Sequence, residues 1–175
     1  MDSESDPIFR EVQRFHQFWV WLLIIALPLL LVGPFGYGMV KQLVLGQPWG
    51  DRPMSDTALA IVGTLSILFG IGMLALFLSA KLITEVRKDG LFVRFVPFHL
   101  SFHKIPLENL EQCEARHYRP IREYGGWGIR FAWKGKAYNV SGDLGVRLDY
   151  STGRHLLIGS QRPEELAQAI ASVLG

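Results

Sequence analysis

The chain has 175 residues, of which 49% are apolar and only 19% are charged, and its formal net charge is +2. Soluble domains usually carry about a quarter of charged residues, so this composition argues against an ordinary soluble domain. The single cysteine excludes an internal disulfide and fits a reducing compartment.

Residues 1–17 are polar with a few large apolar side chains. We expect them to form a short cytoplasmic N-terminal segment that lies against the lipid headgroups. Trp19 and Trp21 follow this segment at the position where an interfacial aromatic belt belongs.

Residues 18–40 and 57–80 predict two transmembrane helices. Neither run contains Asp, Glu, Lys or Arg, and each exceeds the roughly 20 residues that cross a bilayer core. A signal peptide is the alternative for the first run. We reject it because the run is too long and its flanking residues Asp2, Glu4 and Asp6 are acidic rather than basic.

The distribution of basic residues predicts the orientation of these helices. Residues 81–175 carry fourteen basic and ten acidic side chains, and basic residues flank the cytoplasmic ends of membrane helices. We therefore expect residues 81–175 in the cytoplasm and residues 41–56 as a short extracytoplasmic loop. Two spans then place both termini in the cytoplasm, in a multi-pass protein of the inner membrane.

The second run has small residues four positions apart, a spacing that lets helix backbones approach closely. These residues could pack on the first helix of the same chain, or on another copy in a homo-oligomer, and both alternatives stay open. The candidate helix-packing residues are Ser66, Gly70, Ala75 and Ser79.

After Ala80 the apolar residues alternate, as in half-buried strands, and turn sequences separate the runs. Residues 162–175 differ, because an apolar stripe and a proline near the start predict an amphipathic helix. The seven predicted strands are Leu82–Lys88, Leu91–Pro97, Leu107–Tyr118, Gly128–Trp133, Lys136–Ser141, Val146–Tyr150 and Arg154–Gly159.

The stretches VRKDGLFVRFVPF, KIPLENLEQCEARHYRPI, GGWGIRFAWKGKAYNVSGDLGVRLDY and RHLLIGSQRPEELAQAI resemble bacterial pleckstrin-homology-like (PH-like) membrane proteins, an uncharacterised family. In those proteins a two-helix hairpin precedes a cytoplasmic PH-like domain. The resemblance implies a membrane α-helical hairpin plus an all-β PH-like barrel or sandwich of seven strands, capped by a C-terminal α-helix. Residues 81–175 would form that domain.

Two features depart from eukaryotic PH domains. The predicted C-terminal helix contains no tryptophan, and Phe92 occupies the middle position of the basic pattern that includes Lys88 and Arg94. The resemblance therefore supports the fold and does not support phosphoinositide binding.

The stretch RPIREYGGWGIR, residues 119–130, has two interpretations. It is either a corner of the fold, with its glycines permitting a turn, or a site for an anion or a protein partner. Arginine suits carboxylate and phosphate, and aromatic side chains are common at the centres of interfaces. The candidate residues of this site are Arg119, Arg122, Tyr124, Trp127 and Arg130.

Arg87 and Lys88 follow the second apolar run closely in sequence. We expect them to contact anionic headgroups at the membrane surface, at about 1 kcal/mol per charge.

No catalytic constellation is evident in the sequence. His99 and His103 are four residues apart, but the prolines around them argue against a helical metal site, and Cys113 reads as a packed thiol. Asp143 and Asp149 have no evident partner. We expect no cofactor, no bound metal, no nucleic-acid partner and no enzymatic activity.

These observations favour a membrane-anchored, non-catalytic interaction module. Its expected partners are the lipid bilayer and either a protein or anionic lipid headgroups. The alternative is an accessory subunit of a membrane transporter or enzyme complex, assembled through the transmembrane hairpin.

Overall fold

The computed structural model describes residues 6–132 and 135–174. His16–Ser79 forms a helical unit, and the described residues up to Phe15 and from Ala80 onward form a second unit, the β unit. Trp133, the end of one predicted strand, lies outside the described residues, as do the first five residues of the predicted segment 1–17.

The helical unit contains α1, Phe18–Met39, and α2, Asp56–Ser79, and a π-helical stretch, Val40–Val44, extends α1. The continuous helix Phe18–Val44 and α2 are both long and apolar enough to cross a membrane, by length and composition. The two uncharged runs of the sequence are thus helices, as predicted.

The two helices of this unit approach closely where α2 has glycines. A Cβ atom added to Gly70 would lie 3.0 Å from Val32 Cγ2 and 3.3 Å from Pro28 Cβ of α1, and one added to Gly63 would overlap the Met39 side chain. Both glycines are buried. The absence of side chains at these positions therefore allows the helix–helix contact.

The connection between the helices folds back on the end of α1. The Trp49 ring lies edge-on to Phe35 at 5.9 Å and occupies the space that a side chain at Gly38 would fill. Gln42 Nε2 donates a hydrogen bond to Asp56 Oδ1 at 2.7 Å, which ties the extension of α1 to the start of α2.

The first sheet of the β unit is antiparallel with the strand order β1-β2-β3-β4. Its strands are β1, Phe9–Arg14; β2, Lys81–Arg87; β3, Gly90–Val96; and β4, His103–Ile105.

The second sheet has the order β5-β8-β9-β7-β6, and only the neighbours β7 and β9 are parallel. Two antiparallel pairs, β6-β7 and β8-β9, thus lie side by side. The elements are β5, Leu110–His117; α3, Pro120–Tyr124; β6, Gly128–Ala132; β7, Gly135–Asn139; β8, Leu144–Tyr150; β9, His155–Gly159; and α4, Pro163–Ser172.

Each of the seven predicted runs overlaps a strand, but the described residues form nine strands. β4 is only three residues long, too short for its alternation to be read. Residues 1–17 were expected to form a segment against lipid headgroups with no strand, but β1 within them pairs with β2 along its full length. Phe9, Glu11 and Gln13 of β1 face inward, so its buried face is largely polar and gave no apolar alternation.

The core of the β unit lies between the two sheets and under α4. Leu166 and Ile170 of α4 are fully buried in this core together with Leu82, Leu148 and Ile158. The predicted amphipathic helix is confirmed, because its apolar stripe is the face that covers the sheets.

Polar contacts join β1 to the connection between β9 and α4. Glu11 accepts hydrogen bonds from the Ser160 hydroxyl at 2.6 Å and from the Gln161 amide at 2.8 Å. Gln13 Nε2 donates to the Gly159 carbonyl at 2.6 Å. These bonds satisfy buried polar groups, so β1 is an integral part of the unit.

Candidate functional site

The α3 corner, residues 119–130, connects β5 to β6 and covers the outer face of the second sheet. Tyr118 and Tyr124 are buried there with Ala137 and Leu157, and the two tyrosine rings meet edge-on at 6.0 Å. Tyr124 was predicted as an exposed anchor for a partner. The structure places it in this small core, where it is only 7% exposed.

The short helix of this corner has local start and stop signals. Pro120 occupies its first turn, and Glu123 Oε1 accepts a hydrogen bond from the Arg119 amide at 2.7 Å. Gly125 ends the helix with a φ of 71°, a conformation that costs glycine little. The proline, the glutamate and the glycine of this short segment therefore account for the reversal of the chain at this point.

Hydrogen bonds then hold the turn that leads into β6. Trp127 is half-buried, and its indole nitrogen donates to the Gly142 carbonyl at 2.9 Å. The Gly128 amide donates to Asn139 Oδ1 at 3.0 Å, and Asn139 Nδ2 donates to the Tyr118 hydroxyl at 3.1 Å. Trp127 therefore has a structural role in addition to any contact with a partner.

The arginines of the corner remain at the surface. Arg119, Arg122 and Arg130 are exposed, although Arg130 Nε donates to the Trp127 carbonyl at 2.8 Å. Within residues 6–132 and 135–174, no carboxylate forms an ion pair with Arg119 or Arg122. Ile121, between them, is 64% exposed. The corner thus presents two uncompensated guanidinium groups beside an apolar side chain.

Burial keeps the aromatic hydroxyls beneath the corner neutral. It raises the pKa of Tyr118 to about 12 and also raises the pKa of Tyr124. Both tyrosines therefore act as neutral hydrogen-bonding and packing groups at physiological pH, and the charge of the corner comes from its arginines.

Arg87 and Lys88, the predicted membrane-surface residues, lie elsewhere. They are at the end of β2 opposite to Lys81, about 20 Å away at about 3.3 Å per residue. Arg87 pairs with buried Glu85 at 2.6 Å, and its guanidinium lies 5.0 Å from the centre of the Phe92 ring. Proximity in sequence to α2 suggested headgroup contact, but the strand carries these residues away from its start.

The face of the first sheet that carries Arg87, which is its outer face, has a shallow cavity of about 400 Å³. Arg10, Arg87 and Arg94 line it together with Glu85 and Phe102. Arg10 Nε lies 3.3 Å from Glu85 Oε1, so the buried carboxylate organises two of the three arginines. No local pattern in the sequence indicates this cluster, because it is assembled across three strands.

A larger open cleft of about 870 Å³ lies at the end of the second sheet where β7 and β9 begin, beside the turn between β8 and β9. Its described lining is largely aromatic and apolar, with Lys136, Arg154 and His155 as its basic groups. Lys136 Nζ donates to the Tyr138 hydroxyl. No run of the sequence indicated this cleft.

The small residues of α2 divide between two faces. Gly70 packs on α1, and Ser66 is half-buried with its hydroxyl donating to the Val62 carbonyl at 2.8 Å. Ala75 and Ser79 are exposed. Gly70 therefore packs on α1 within the chain, which is one of the two predicted alternatives. Ala75 and Ser79 have no contact with α1 that would bury them, so packing on another copy stays open for these two residues.

Comparison with known protein families gives a match over the whole chain. A family model described as a family of unknown function, DUF6141, matches residues 1–175. The chain belongs to the DUF6141 family. No curated protein and no solved structure matches it.

Two of the five histidines of this DUF6141 chain, His99 and His103, form a pair. The rings of His99 and His103 lie edge-on at 4.0 Å, and His99 Nδ1 accepts a hydrogen bond from the Phe95 amide at 3.2 Å. Burial and the nearby charges of His103 and Lys136 lower the pKa of His99. Among the residues that the structure describes, no group of three or more potential metal ligands is present.

Asp143 and Asp149 of this DUF6141 chain do not converge on one site. His117 Nδ1 lies 3.6 Å from Asp143 Oδ2, and Arg147 holds Asp149 with hydrogen bonds of 2.8–2.9 Å. Each aspartate therefore has a partner that sequence analysis missed. Asp143 and Asp149 are six residues apart, which corresponds to about 20 Å along an extended strand.

Proposed function

We propose that this chain is a membrane-anchored, non-catalytic interaction module, with the helical unit in the bilayer and the β unit on its cytoplasmic face. The proposed ligand of the β unit is an anionic group, carried by a protein or by lipid headgroups. The proposal includes two transmembrane spans with both termini in the cytoplasm of a bacterial inner membrane.

The pairing of β1 with β2 is the observation that carries this proposal. β1 ends at Arg14, shortly before α1, and β2 begins at Lys81, directly after α2. Arg14 and Lys81 are opposite each other in the sheet. The chain therefore enters and leaves the apolar helices from neighbouring positions, as a hairpin with both ends on one membrane surface requires.

The α3 corner is the proposed recognition surface. Arg119 and Arg122 are exposed and have no ion-pair partner in the described part of the chain, so their planar donors are available to a carboxylate or phosphate. Exposed Ile121 adds an apolar contact. Tyr124 does not take part directly, because it is buried beneath the helix.

The PH-like assignment of the β unit is part of the same proposal. Two sheets packed around one core and a C-terminal helix that covers them support it. The parallel pairing of β7 and β9 was not expected from seven runs joined by short turns.

Photocrosslinking in membranes tests the recognition surface. A photoreactive amino acid at Ile121 would be compared with one at Gln168, an exposed residue of α4. We expect a discrete adduct only from Ile121, lost when Arg122 is replaced by alanine. Equal adducts at both positions, or adducts that Arg122→Ala leaves unchanged, would contradict a role for the corner.

Labelling with a membrane-impermeant thiol reagent tests the topology. With Cys113 replaced by alanine, a cysteine at Asp51 should react in intact cells, and one at Glu164 should react only after the cells are opened. Reaction of Glu164→Cys in intact cells would contradict the proposed orientation, and reaction of neither variant before lysis would contradict exposure of the loop.

The second candidate is an accessory subunit that assembles through α2. The exposure of Ala75 and Ser79 favours it, because small exposed residues allow another helix to approach. Replacement of both by leucine should then abolish co-purification with a partner complex. The control, Gly33→Leu, changes an exposed position of α1 with nothing within 4 Å.

A further inference from the structure

We propose that the loop between β3 and β4, Pro97–Phe102, inserts Phe98 and Leu100 into the boundary between the headgroups and acyl chains of the bilayer. This inference rests on the proposed membrane anchoring and adds a second contact of the β unit with the lipid. The β unit would then be held against the membrane rather than suspended from its two short connections.

The two side chains are exposed to a degree that is unusual for their size. Leu100 is 89% exposed, more than any other large apolar side chain among the described residues, and Phe98 is 62% exposed. Single exposed apolar residues need no explanation. Two on one six-residue loop make a compact apolar tip.

The position of the loop in the sheet determines what it faces. Val96, the last residue of β3, pairs with Lys81, which in turn pairs with Arg14. The loop therefore leaves the sheet at the end where the chain runs into α1 and out of α2. If those helices are in the bilayer, this end of the sheet is the one nearest to the lipid.

Hydrogen bonds hold the loop in this shape. The His99 amide donates to the Phe95 carbonyl at 2.8 Å, and the Phe95 amide donates to His99 Nδ1 at 3.2 Å. Arg94 Nε donates to the His99 carbonyl at 3.3 Å. His99 is thus turned toward the sheet. Leu100 on one side of it is almost fully exposed, and Phe98 on the other keeps most of its surface exposed although its ring lies 5.9 Å from that of Phe95.

Basic groups accompany the apolar tip. Arg14 is exposed at the same end of the first sheet. Arg94, which donates to the His99 carbonyl, adds a second basic group at the loop. Apolar tips flanked by basic residues are typical of surfaces that bind anionic membranes.

Lipid quenching in the full-length protein tests the inference. With Cys113 replaced by alanine, an environment-sensitive fluorophore would be attached to Leu100→Cys, and the protein reconstituted in vesicles of phosphatidylethanolamine and phosphatidylglycerol that contain nitroxide-labelled acyl chains. The matched control is Ile8→Cys, an exposed apolar position at the opposite end of β1. A probe at Leu74→Cys in α2 reports on anchoring.

We expect quenching at Leu100 to exceed that at Ile8 roughly threefold or more, as for a group buried at the headgroup–acyl boundary, and strong quenching at Leu74. Strong quenching at Leu74 with equal, weak quenching at Leu100 and Ile8 would overturn the inference and leave the anchoring intact. Weak quenching at Leu74 would instead overturn the anchoring and the inference with it.

Contact with protein in place of lipid has its own signature. A blue-shifted Leu100 probe that nitroxide lipids do not quench would mean that the loop packs against a second copy of the chain, and would also overturn the inference. A probe at Phe98→Cys repeats the measurement on the other side of His99, so that misfolding of one variant does not decide the result.

Discussion

At the scale of single residues, Glu11 shows how a polar side chain can determine the extent of a fold. It is 8% exposed, and its two carboxylate oxygens accept bonds from Ser160 and Gln161, about 150 residues away in sequence. With such a side chain on its inner face, β1 lacks the alternation of apolar and polar residues that predicts a strand. These hydrogen bonds nevertheless attach β1 to the rest of the β unit.

Replacement of Glu11 by alanine should lower the free energy of unfolding of the β unit by about 2 kcal/mol, because the Ser160 hydroxyl and the Gln161 amide lose their partner in a buried position. Urea denaturation followed by tryptophan fluorescence measures this loss. The control is Glu108→Ala, which removes an exposed carboxylate. Equal stability of the two variants would contradict a structural role for Glu11.

His99 predicts a pH dependence. Its pKa is lowered in the folded state, mainly by burial, so the folded state disfavours the protonated form. The contribution of His99 to stability is therefore full above the ordinary pKa of about 6.5 and declines as the pH falls below that value. Protonation of His99 would also break the hydrogen bond that its Nδ1 accepts from the Phe95 amide.

We expect the thermal midpoint of the wild-type chain to fall more between pH about 7.5 and about 5.5 than that of His99→Asn, whose amide oxygen can accept the same bond without titrating. The pH dependence from His155, whose pKa is also lowered, is common to both proteins. Identical pH profiles would show that His99 is not linked to folding.

The residues of the α3 corner illustrate what a local pattern can predict. The glycines and the proline of residues 119–130 correctly predicted a turn. The three arginines of this stretch are exposed, as expected for charged side chains. Tyr124 could not be distinguished from an exposed aromatic residue, because its burial depends on Ala137 and Leu157 from two distant strands. The pairing of Arg87 with Glu85 likewise appears only when the side-chain geometry is known, and the contact of Arg87 with headgroups stays a prediction.

At the scale of elements, the helices followed directly from the sequence because length and apolar composition are local properties. Their mutual packing required the structure. Gly63 was not among the predicted packing residues, although it lies one heptad before Gly70, and that spacing of seven is a signal that places both on one helix face.

A disulfide tests this packing. An ideal Cβ at Gly63 lies 2.9 Å from Met39 Cγ, so Met39→Cys and Gly63→Cys, with Cys113 replaced by alanine, should oxidise within one chain. Non-reducing electrophoresis should show a faster monomer band. The pair Met39→Cys and Gly72→Cys should remain reduced, and a disulfide-linked dimer from the first pair would instead indicate packing between chains.

At the scale of the whole molecule, the β unit is interrupted by the helical unit, because β1 precedes it and β2 follows it. The predicted domain, residues 81–175, therefore lacks one strand. Without β1, the β2 edge and Leu82 would lose their cover, and an open apolar edge promotes aggregation.

Replacement of residues 16–79 by Asn-Gly should give a soluble, folded monomer. Arg14 and Lys81 are opposite each other, so Phe15, Asn, Gly and Ala80 form a four-residue hairpin loop between β1 and β2. Residues 80–175 alone should aggregate or unfold at a lower temperature. Size-exclusion chromatography and thermal melting compare the two proteins, and equal behaviour would show that β1 is dispensable.

The sequence by itself determined the two apolar helices, the positions of seven strands, the C-terminal helix and the turn at residues 119–130. Each of these depends on neighbours within a few positions, through helix period, strand alternation or glycine and proline geometry. Only the tertiary structure decided that β1 completes the first sheet, that Tyr124 is buried and that the β3–β4 loop leaves the first sheet at the end where β1 stops and β2 starts. Those features depend on residues far apart in sequence, which no local pattern records.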